Sequence, residues 1–300
     1  MKLDVTHIHL VKNVTDDEER REVPKWKRIT LSILDSMEYK ANDPKFRQKV
    51  LDLGNEIIQS TILLMIRDNK KEFKAHGTGV LYRNDFQYFI ITAAHVKEKE
   101  QLFAASGNSV RMLGGRVKNG IPTDRNVDLC CFNIDLPTVE FLRKGYEFIS
   151  KPKLHLAHDP QMFLKYLVVG FPARISDINV NEGKIKASAR YYNLIMSKEN
   201  VYNYYGLDRG TQYALDFKGK MENYSNHKKQ KIGEPHGLSG SGLWIIVQKD
   251  DTLYNFDVRL IGIMTEYRSG KYHCLIGNKI NIISAQLEDT GGTGFYTNKS

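Results

Sequence analysis

The sequence predicts a mainly β protein with a helical segment in front of its strands. From residue 60 onward, short runs rich in β-branched and aromatic residues are bounded by Gly, Pro, Asn and Asp, which is the pattern of strands joined by turns. Before residue 59, apolar residues recur at helical spacing instead. The 300 residues allow one large domain or two small ones with a sizeable core.

Residues 1–58 predict two helices. The first spans residues 26–39, and the second begins near Pro44 and places Leu53 and Ile57 on one face. This segment carries no catalytic signature in its sequence. We therefore expect it to pack against the β part of the chain.

The strands follow in chain order. Asn84-Asp85 supplies the turn between two of them, and a later strand stops at Gly170 and Pro172. A basic polar loop is expected at 218–232, on the rim of a substrate cleft, and a short helix at 280–287. The predicted strands are 61–66, 77–82, 86–92, 109–113, 128–134, 163–172, 182–192, 211–217, 241–248 and 258–267.

A candidate nucleophile lies in the stretch GLSGSGLW, residues 237–244. A serine hydroxyl is a weak nucleophile at neutral pH, so it needs a base and donors for the oxyanion that forms on attack. Gly237, two residues before Ser239, lets the backbone turn so that the N–H groups of Gly237 and Ser239 point into one small hole. Ser241 is the alternative nucleophile in this stretch.

The candidate base is His95, at the end of FIITAAHV (89–96). An apolar, β-branched run that ends in two alanines and a histidine indicates a buried strand with an imidazole at its end. The candidate acid is Asp128, which opens the apolar run DLCCFNI and would fix the imidazole tautomer. Asp124 and Asp135 are its rivals, and we favour Asp128 because it directly precedes the strand.

The chain order His, Asp, Ser excludes two other groups of hydrolases. The α/β-hydrolases run Ser, acid, His, and the subtilisins run Asp, His, Ser. Ser241 also stands where the GxSxG elbow of the α/β-hydrolases needs a glycine.

Three ordered blocks resemble the chymotrypsin/trypsin-like serine peptidases, especially their bacterial branch. They are TAAH at 92–95, Asp128 at the head of an apolar strand, and GxSGSG around Ser239. The strand end GFP at 170–172 is similar as well. The resemblance implies two packed antiparallel six-stranded β-barrels, at 59–145 and 146–300, with the site in the cleft between them. It also implies that the residues of the site need no cofactor.

The resemblance assigns a specificity pocket to Gly233, Glu234 and the strand Thr265-Glu266-Tyr267. Trypsins carry an aspartate at the pocket base, where this chain has Gly233, so a preference for Arg or Lys does not follow. If Glu234 or Glu266 faces the pocket, its carboxylate would restore that preference.

Leu238 departs from the secreted members of the family, which are activated by cleavage. In those proteins an aspartate at this position pairs with the newly cut N-terminus, and that switch cannot operate with leucine. The oxyanion hole is then held by local packing, or it forms when a substrate or an activating protein partner binds. The second alternative suits a regulated enzyme.

The remaining motifs point to no second chemistry. His7/His9 and His155/His158 have metal-like spacing, but no third ligand cluster accompanies either pair. The tripeptide DTG at 289–291 occurs in aspartic peptidases, but here no apolar strand precedes it.

Cysteine content favours a reducing compartment. Secreted peptidases of this architecture carry disulfides, whereas this chain has only Cys130, Cys131 and Cys274. The two neighbours would point to opposite faces of their strand. The first residues lack the apolar region of an export signal, and no stretch reaches the ~18 apolar residues of a membrane span. We therefore expect a cytoplasmic location without membrane association.

We predict a serine endopeptidase that cleaves a protein substrate and is regulated and restricted in what it cuts. The alternative is a catalytically latent trypsin-fold module that binds a protein or a nucleic acid. The net charge of +9 would support nucleic-acid binding, but scattered lysines are more typical of a solvating surface. Intact Ser239, His95 and Asp128 favour the enzyme, because binding alone does not need all three.

Overall fold

Two curled antiparallel β-sheets form the body of the protein, so the mainly β prediction is confirmed. The computed structural model describes residues 11–12, 44–97, 101–106, 109–117, 127–158, 165–179, 184–187, 189–217, 220–223, 229–231, 235–248 and 255–288. Within these residues the first sheet has seven strands and the second has nine, against the six expected for each. All strands, helices and contacts named below lie within these residues.

The strands are short, and most of them lie close to the predicted positions. In chain order they are β1 (Val11–Lys12), β2 (Thr61–Arg67), β3 (Phe73–Arg83), β4 (Tyr88–Ala93), β5 (Phe103–Ser106), β6 (Ser109–Met112), β7 (Gly115–Val117), β8 (Leu129–Ile134), β9 (Lys165–Gly170), β10 (Asp177–Asn179), β11 (Lys184–Lys186), β12 (Arg190–Ile195), β13 (Gln212–Asp216), β14 (Lys220–Asn223), β15 (Lys229–Lys231), β16 (Gly242–Gln248), β17 (Phe256–Ser269) and β18 (His273–Lys279).

The first sheet has the spatial order β6-β5-β2-β3-β4-β8-β7, and the second has the order β13-β18-β17-β16-β9-β12-β1-β14-β15. Strands β10 and β11 form a separate ribbon. All neighbours are antiparallel except β1 and β12. Bulges after Leu64, Leu243 and Met264 interrupt the ladders and bend the strands, which allows each sheet to curl.

The helices lie at the ends and junctions of the sheets. The α-helices are Pro44–Gln59, Ala94–Lys97, Leu136–Leu142, Glu199–Tyr205 and Ser284–Glu288, and the 3₁₀ turns are Lys151–Lys153, Ala173–Ile175 and Ile280–Ile283. The predicted helices near 44–58 and 280–287 are therefore present. The predicted helix at 26–39 lies outside the described residues. No described helix is long and apolar enough to cross a membrane.

Strand β4 is apolar on both faces because it lies between two cores. Ile90 faces the interior of the first sheet, where it packs in a cluster with Ile62. Phe89 and Ile91 face the opposite way and join Trp244 of the second sheet in the core between the sheets. Alternate side chains of one strand thus fill two different cores, which explains the uninterrupted run in the sequence.

The same alternation separates the two neighbouring cysteines of β8. Cys130 lies in the interior of the first sheet, and Cys131 lies in the core between the sheets. Cys130, Cys131 and Cys274 are all buried and free of disulfides. The prediction of reduced core thiols on opposite faces is confirmed for this pair.

The helix Pro44–Gln59 packs against the core between the sheets through Leu53 and Ile57. The C-terminal turns close the same core with Ile283 and Leu287. The preceding segment adds β1, which pairs with β12 and β14 of the second sheet. The packing role expected for residues 1–58 therefore holds for their described part, which supplies a strand as well as a helix.

The predicted basic loop at 218–232 contains regular structure, and a helix that was not predicted follows β8. Residues 218–232 include β14 and β15, which pair with each other despite their polar sequences. The unpredicted helix is Leu136–Leu142. Asp135 caps that helix by accepting a hydrogen bond from the Thr138 N–H at 2.9 Å, and Pro137 fits its first turn.

Candidate active site

His95 is presented at the point where a buried strand ends. Strand β4 stops at Ala93, and the single helical turn Ala94–Lys97 follows at once. Val96 is fully buried in this turn, whereas 47% of the His95 side chain is exposed. The imidazole is therefore solvent-accessible at the edge of the first sheet, while the neighbouring Val96 anchors the turn in the core.

One carboxylate holds His95 by two hydrogen bonds. Asp128 Oδ1 accepts from the backbone N–H of His95 at 2.9 Å, and Oδ2 lies 2.6 Å from His95 Nδ1. A carboxylate can only accept, so the proton of the neutral imidazole is on Nδ1 and Nε2 keeps its lone pair. This is the tautomer that a general base needs.

Asp128 is itself held by the second sheet. Its N–H donates to the Oδ1 atom of Asn278, a fully buried side chain on β18, at 3.0 Å. Of the rival acids, Asp135 caps the helix Leu136–Leu142, and Asp124 lies outside the described residues. Of the two candidate acids that the structure describes, Asp128 is the one that contacts His95.

Ser239 lies in the turn before β16, in the same cleft as His95 and Asp128. Its hydroxyl donates to the Thr265 carbonyl at 3.3 Å, a long hydrogen bond. A hydroxyl proton can rotate about the C–O bond, so it can turn from this carbonyl to another acceptor in the cleft.

The N–H of Gly237 is oriented by the peptide unit to which it belongs. The carbonyl of His236 accepts from the Ala173 N–H at 2.8 Å. In a trans peptide the carbonyl and the following N–H point in opposite directions, so the Gly237 N–H is turned away from Ala173. Among the described residues nothing accepts this N–H.

The N–H of Ser239 is oriented in the same manner. The carbonyl of Leu238 accepts from the Ser241 N–H at 2.9 Å, so the N–H of Ser239 points the other way. It also has no acceptor within the described part of the chain. Two N–H groups that no described residue accepts, two residues apart beside a serine hydroxyl, match the donor pattern of an oxyanion hole.

The turn around Ser239 needs glycine on both sides. Gly237 and Gly240 both have φ = +88°. A Cβ at Gly237 would lie 2.6 Å from the Ala173 nitrogen, and one at Gly240 would lie 1.8 Å from the Thr78 carbonyl oxygen. Both the backbone conformation and the close packing therefore exclude a side chain.

Ser241 and Leu238 both point into the protein. Ser241 is completely buried, and a Cβ on Gly170 would fall within 1.8 Å of its hydroxyl oxygen. It is therefore unsuited to attack a substrate. Leu238 is 2% exposed and belongs to the core of the second sheet. Of the two alternatives for the oxyanion hole, this burial favours local packing.

The cleft has a volume of about 650 Å³, and both walls contribute to it. Thr265, Glu266 and Tyr267 of β17 line it together with the serine turn. Gly233 and Glu234, the other residues expected in the specificity pocket, lie outside the described residues.

Glu266 is already paired with a cation. Its two carboxylate oxygens accept from Arg268 Nε at 2.8 Å and from a terminal guanidinium nitrogen at 3.0 Å. The hydrogen bonds to Glu266 raise the pKa of Arg268. The guanidinium also lies 5.2 Å above the ring of Tyr205. Glu266 was expected to recognise a basic substrate residue, but Arg268 of the same chain already neutralises its carboxylate.

Sequence reasoning missed three residues that organise this site: Thr78, Asn278 and Arg268. Thr78 and Asn278 bond to the Gly237 carbonyl and the Asp128 N–H across 159 and 150 residues of sequence, so no local pattern marks them. The i, i+2 spacing of Glu266 and Arg268 on one strand face was a usable signal. The described residues contain no group of three side chains that could hold a metal ion, and the pair His7/His9 lies outside them.

Comparison with known proteins gives structural likeness only. The chain is similar to a serine endoprotease from Yersinia pestis, with 16% sequence identity and a TM-score of 0.42 over 77% of this chain and 62% of that one. It thus spans less than two thirds of the Yersinia chain. It is also similar to kallikrein-related peptidase 10 in a complex with Zn²⁺, with 19% identity and a TM-score of 0.46 over 78% of this chain and 95% of that one. No family model and no curated protein matches the sequence.

Proposed function

We propose that this chain is a trypsin-like serine endopeptidase that cleaves a protein substrate through an acyl-enzyme. One observation carries the proposal. Asp128 holds His95 by its backbone N–H and by Nδ1, and the same cleft contains Ser239, whose own N–H and that of Gly237 have no acceptor among the described residues. A binding surface has no need for a fixed imidazole tautomer beside such a turn.

Acylation begins when the Ser239 hydroxyl leaves the Thr265 carbonyl and donates to His95 Nε2. As Oγ bonds to the scissile carbonyl carbon, its proton passes to Nε2 and the carbonyl oxygen becomes an oxyanion. The N–H groups of Gly237 and Ser239 stabilise that charge. His95 then gives the proton to the amide nitrogen, the C–N bond breaks, and the amine leaves.

Deacylation repeats these steps with water as the nucleophile. His95 Nε2 takes a proton from water, the oxygen adds to the ester carbon, and the same two N–H groups bind the second oxyanion. The ester C–O bond breaks as the proton returns to Ser239 Oγ. Asp128 stays ionised throughout and stabilises the transient imidazolium.

The substrate preference depends on whether the Glu266 carboxylate is paired within the chain or available to the substrate. Because Arg268 occupies both of its oxygens, Glu266 supplies no unpaired anion for an Arg or Lys side chain of the substrate. We therefore expect selectivity that differs from the basic preference of trypsins. Glu234 is the remaining candidate for a basic preference.

A reducing cytoplasm fits the proposed enzyme, because all three cysteines are buried and form no disulfide. The built-in packing of Leu238 supports an oxyanion hole that forms without chain cleavage. An activating protein partner would then act on access to the cleft.

The test is cleavage of a mixed-sequence peptide library by the full chain, with products identified by mass spectrometry. The proposal predicts cut sites that share a residue preference and that vanish in Ser239→Ala and in His95→Ala. Ser241→Ala is the matched control, because Ser241 is buried, and its cut sites should match those of the wild type. Cleavage that persists in Ser239→Ala, or none by the wild type, would contradict the proposal. Salt-sensitive nucleic-acid binding that survives Ser239→Ala would favour the binding module.

A further inference from the structure

Thr78 on β3 contacts the serine turn through both its backbone and its side chain. Its N–H donates to the Ser239 carbonyl at 2.8 Å, and its hydroxyl donates to the Gly237 carbonyl at 2.9 Å. Thr78 is completely buried and belongs to the first sheet, whereas the serine turn belongs to the second. Thr78 of the first sheet thus binds the carbonyls of Gly237 and Ser239, the same two residues whose N–H groups would bind the oxyanion.

The same hydroxyl also holds the segment on the other side of the turn. Thr78 Oγ1 accepts from the Phe171 N–H at 3.0 Å. Two residues later, Ala173 donates to the His236 carbonyl and so orients the Gly237 N–H. A hydroxyl can donate one proton and also accept. The Thr78 hydroxyl therefore binds two backbone segments at once, the one that contains Gly237 and the one that contains Phe171.

Thr78 is in turn fixed within its own sheet. The hydroxyl of Thr92, also completely buried, donates to the Thr78 carbonyl at 2.7 Å. Thr92 lies on β4, three residues before His95. The base and the oxyanion turn are therefore connected through two threonine hydroxyls and no solvent-exposed group.

We propose that Thr78 is the positioning residue that keeps the Gly237–Ser239 turn in its substrate-ready form. The inference rests on the proposed peptidase function. Leu238 cannot form the ion pair that a cleaved N-terminus makes with aspartate, and the Thr78 hydroxyl supplies the missing restraint from the first sheet. The turn is therefore set when the two sheets pack together, without any cleavage of the chain.

The decisive variant is Thr78→Val, which keeps the β-branched shape and replaces the hydroxyl with a methyl group. It leaves the part-buried Gly237 carbonyl and the buried Phe171 N–H without the partner that the hydroxyl supplies, so the turn relaxes toward other arrangements. Loss of an oxyanion donor costs about 10²-fold to 10³-fold in kcat in serine peptidases. We expect kcat of the library-derived best substrate to fall about a hundredfold in Thr78→Val, with KM changed less than about threefold.

Two further variants separate positioning from simple destabilisation. Thr78→Ser keeps the hydroxyl and should recover most of the kcat lost in Thr78→Val. Thr61→Val removes another completely buried hydroxyl, which donates to the Ile57 carbonyl at 2.6 Å, far along the chain from the serine turn. It should lower the unfolding temperature and leave kcat within about twofold of the wild type.

Hydrogen exchange of the segment 235–242 gives a readout that does not depend on activity. The inference predicts faster exchange of this segment in Thr78→Val than in the wild type, Thr78→Ser or Thr61→Val. If the wild type cleaves and Thr78→Val cleaves equally well, the inference fails while the proposed function stands. If Thr78→Ser is as impaired as Thr78→Val, the hydroxyl is not the restraint. If the wild type cleaves nothing, the proposed function fails. If hydrogen exchange of 235–242 is then also the same in Thr78→Val as in the wild type, the positioning role fails as well.

Discussion

At the scale of one residue, Asp128 makes the contacts that an acid orienting an imidazole would make. Its two oxygens fix the ring and the backbone of His95, so neither the tautomer nor the position of the imidazole can drift. Its own N–H is fixed by Asn278. The side chain is about one-third exposed, so its effect comes from geometry and not from deep burial.

Replacing Asp128 with Asn should reverse the imidazole tautomer. The amide NH₂ would donate to Nδ1, which places the ring proton on Nε2 and removes the base. We expect kcat for peptide cleavage to fall about 10³-fold to 10⁴-fold, with a stable fold. Asp135→Asn is the matched control, because Asp135 only caps a helix and Asn is an equally good cap. A loss of less than tenfold in Asp128→Asn would contradict the assigned role.

The cysteines give a second prediction at this scale. Burial raises the pKa of Cys130 to about 11 and that of Cys274 to about 12. Only the thiolate reacts with alkylating reagents, so the native chain should resist iodoacetamide at neutral pH, whereas the denatured chain should take up three labels. Mass spectrometry of both samples checks this. Rapid labelling of the native chain would show that these thiols are accessible.

At the scale of single elements, β17 lines the cleft and contributes two charged side chains to it, Glu266 and Arg268. Glu266 and Arg268 are two residues apart on this strand and form a paired unit over Tyr205. Arg268→Gln should therefore leave an unpaired carboxylate in the cleft and raise kcat/KM for substrates with Arg or Lys near the scissile bond by about fivefold to tenfold.

The peptide library measures this change as a shift in residue preference. Lys271→Gln is the matched control, since Lys271 is an exposed cation on the turn that follows β17 and makes no ion pair with Glu266. It should leave the preference unchanged. An unchanged preference in Arg268→Gln would mean that Glu266 does not meet the substrate.

A second element, the turn Lys151–Lys153, ties the N-terminal helix to the second sheet. Lys153 Nζ lies 2.5 Å from Asp257 Oδ1 and also contacts Glu56. Burial lowers the pKa of Lys153, but the hydrogen bonds to Asp257 and Glu56 outweigh it, so the pKa is raised above 10.5. A raised pKa in a base means that the stabilisation is present below the unfolded pKa and is lost as pH rises through the folded one.

Lys153→Ala should lower the free energy of unfolding by about 2 kcal/mol at neutral pH, because it leaves Asp257 buried with fewer partners. Urea denaturation measures the change, and the difference from the wild type should shrink in strongly alkaline solution. Lys151→Ala is the control, because Lys151 makes an exposed ion pair with Glu288 at 2.8 Å. It should cost less than about 1 kcal/mol. Equal effects of the two substitutions would contradict this account.

At the scale of the whole molecule, the site exists only where the two sheets meet. His95 and Asp128 come from the first sheet and Ser239 from the second, and Thr78 and Asn278 bond across the boundary. The core between the sheets contains residues of both, including Phe89 and Trp244. The position of Ser239 relative to His95 therefore depends on how the two sheets pack together.

This distribution explains what could be predicted from the sequence. FIITAAHV and GLSGSG predicted a strand end and a turn because their apolar and glycine patterns are local. Thr78 and Asn278 could not be predicted, since their partners are more than a hundred residues away. The helix at 136–142 carried a local signal, Asp135 followed by Pro137, that was overlooked. Strands β14 and β15 are polar, and their pairing comes from tertiary context.

The most direct measurement is the labelling of the purified full chain by a fluorophosphonate, which bonds to a serine that has an assembled base and oxyanion hole. The account predicts one label on Ser239 in the wild type, and none in Ser239→Ala or in His95→Ala. Wild-type labelling in Ser241→Ala would show that the buried serine is not involved. An unlabelled wild type, or a label that persists in Ser239→Ala, would contradict the assignment of Ser239 as the nucleophile.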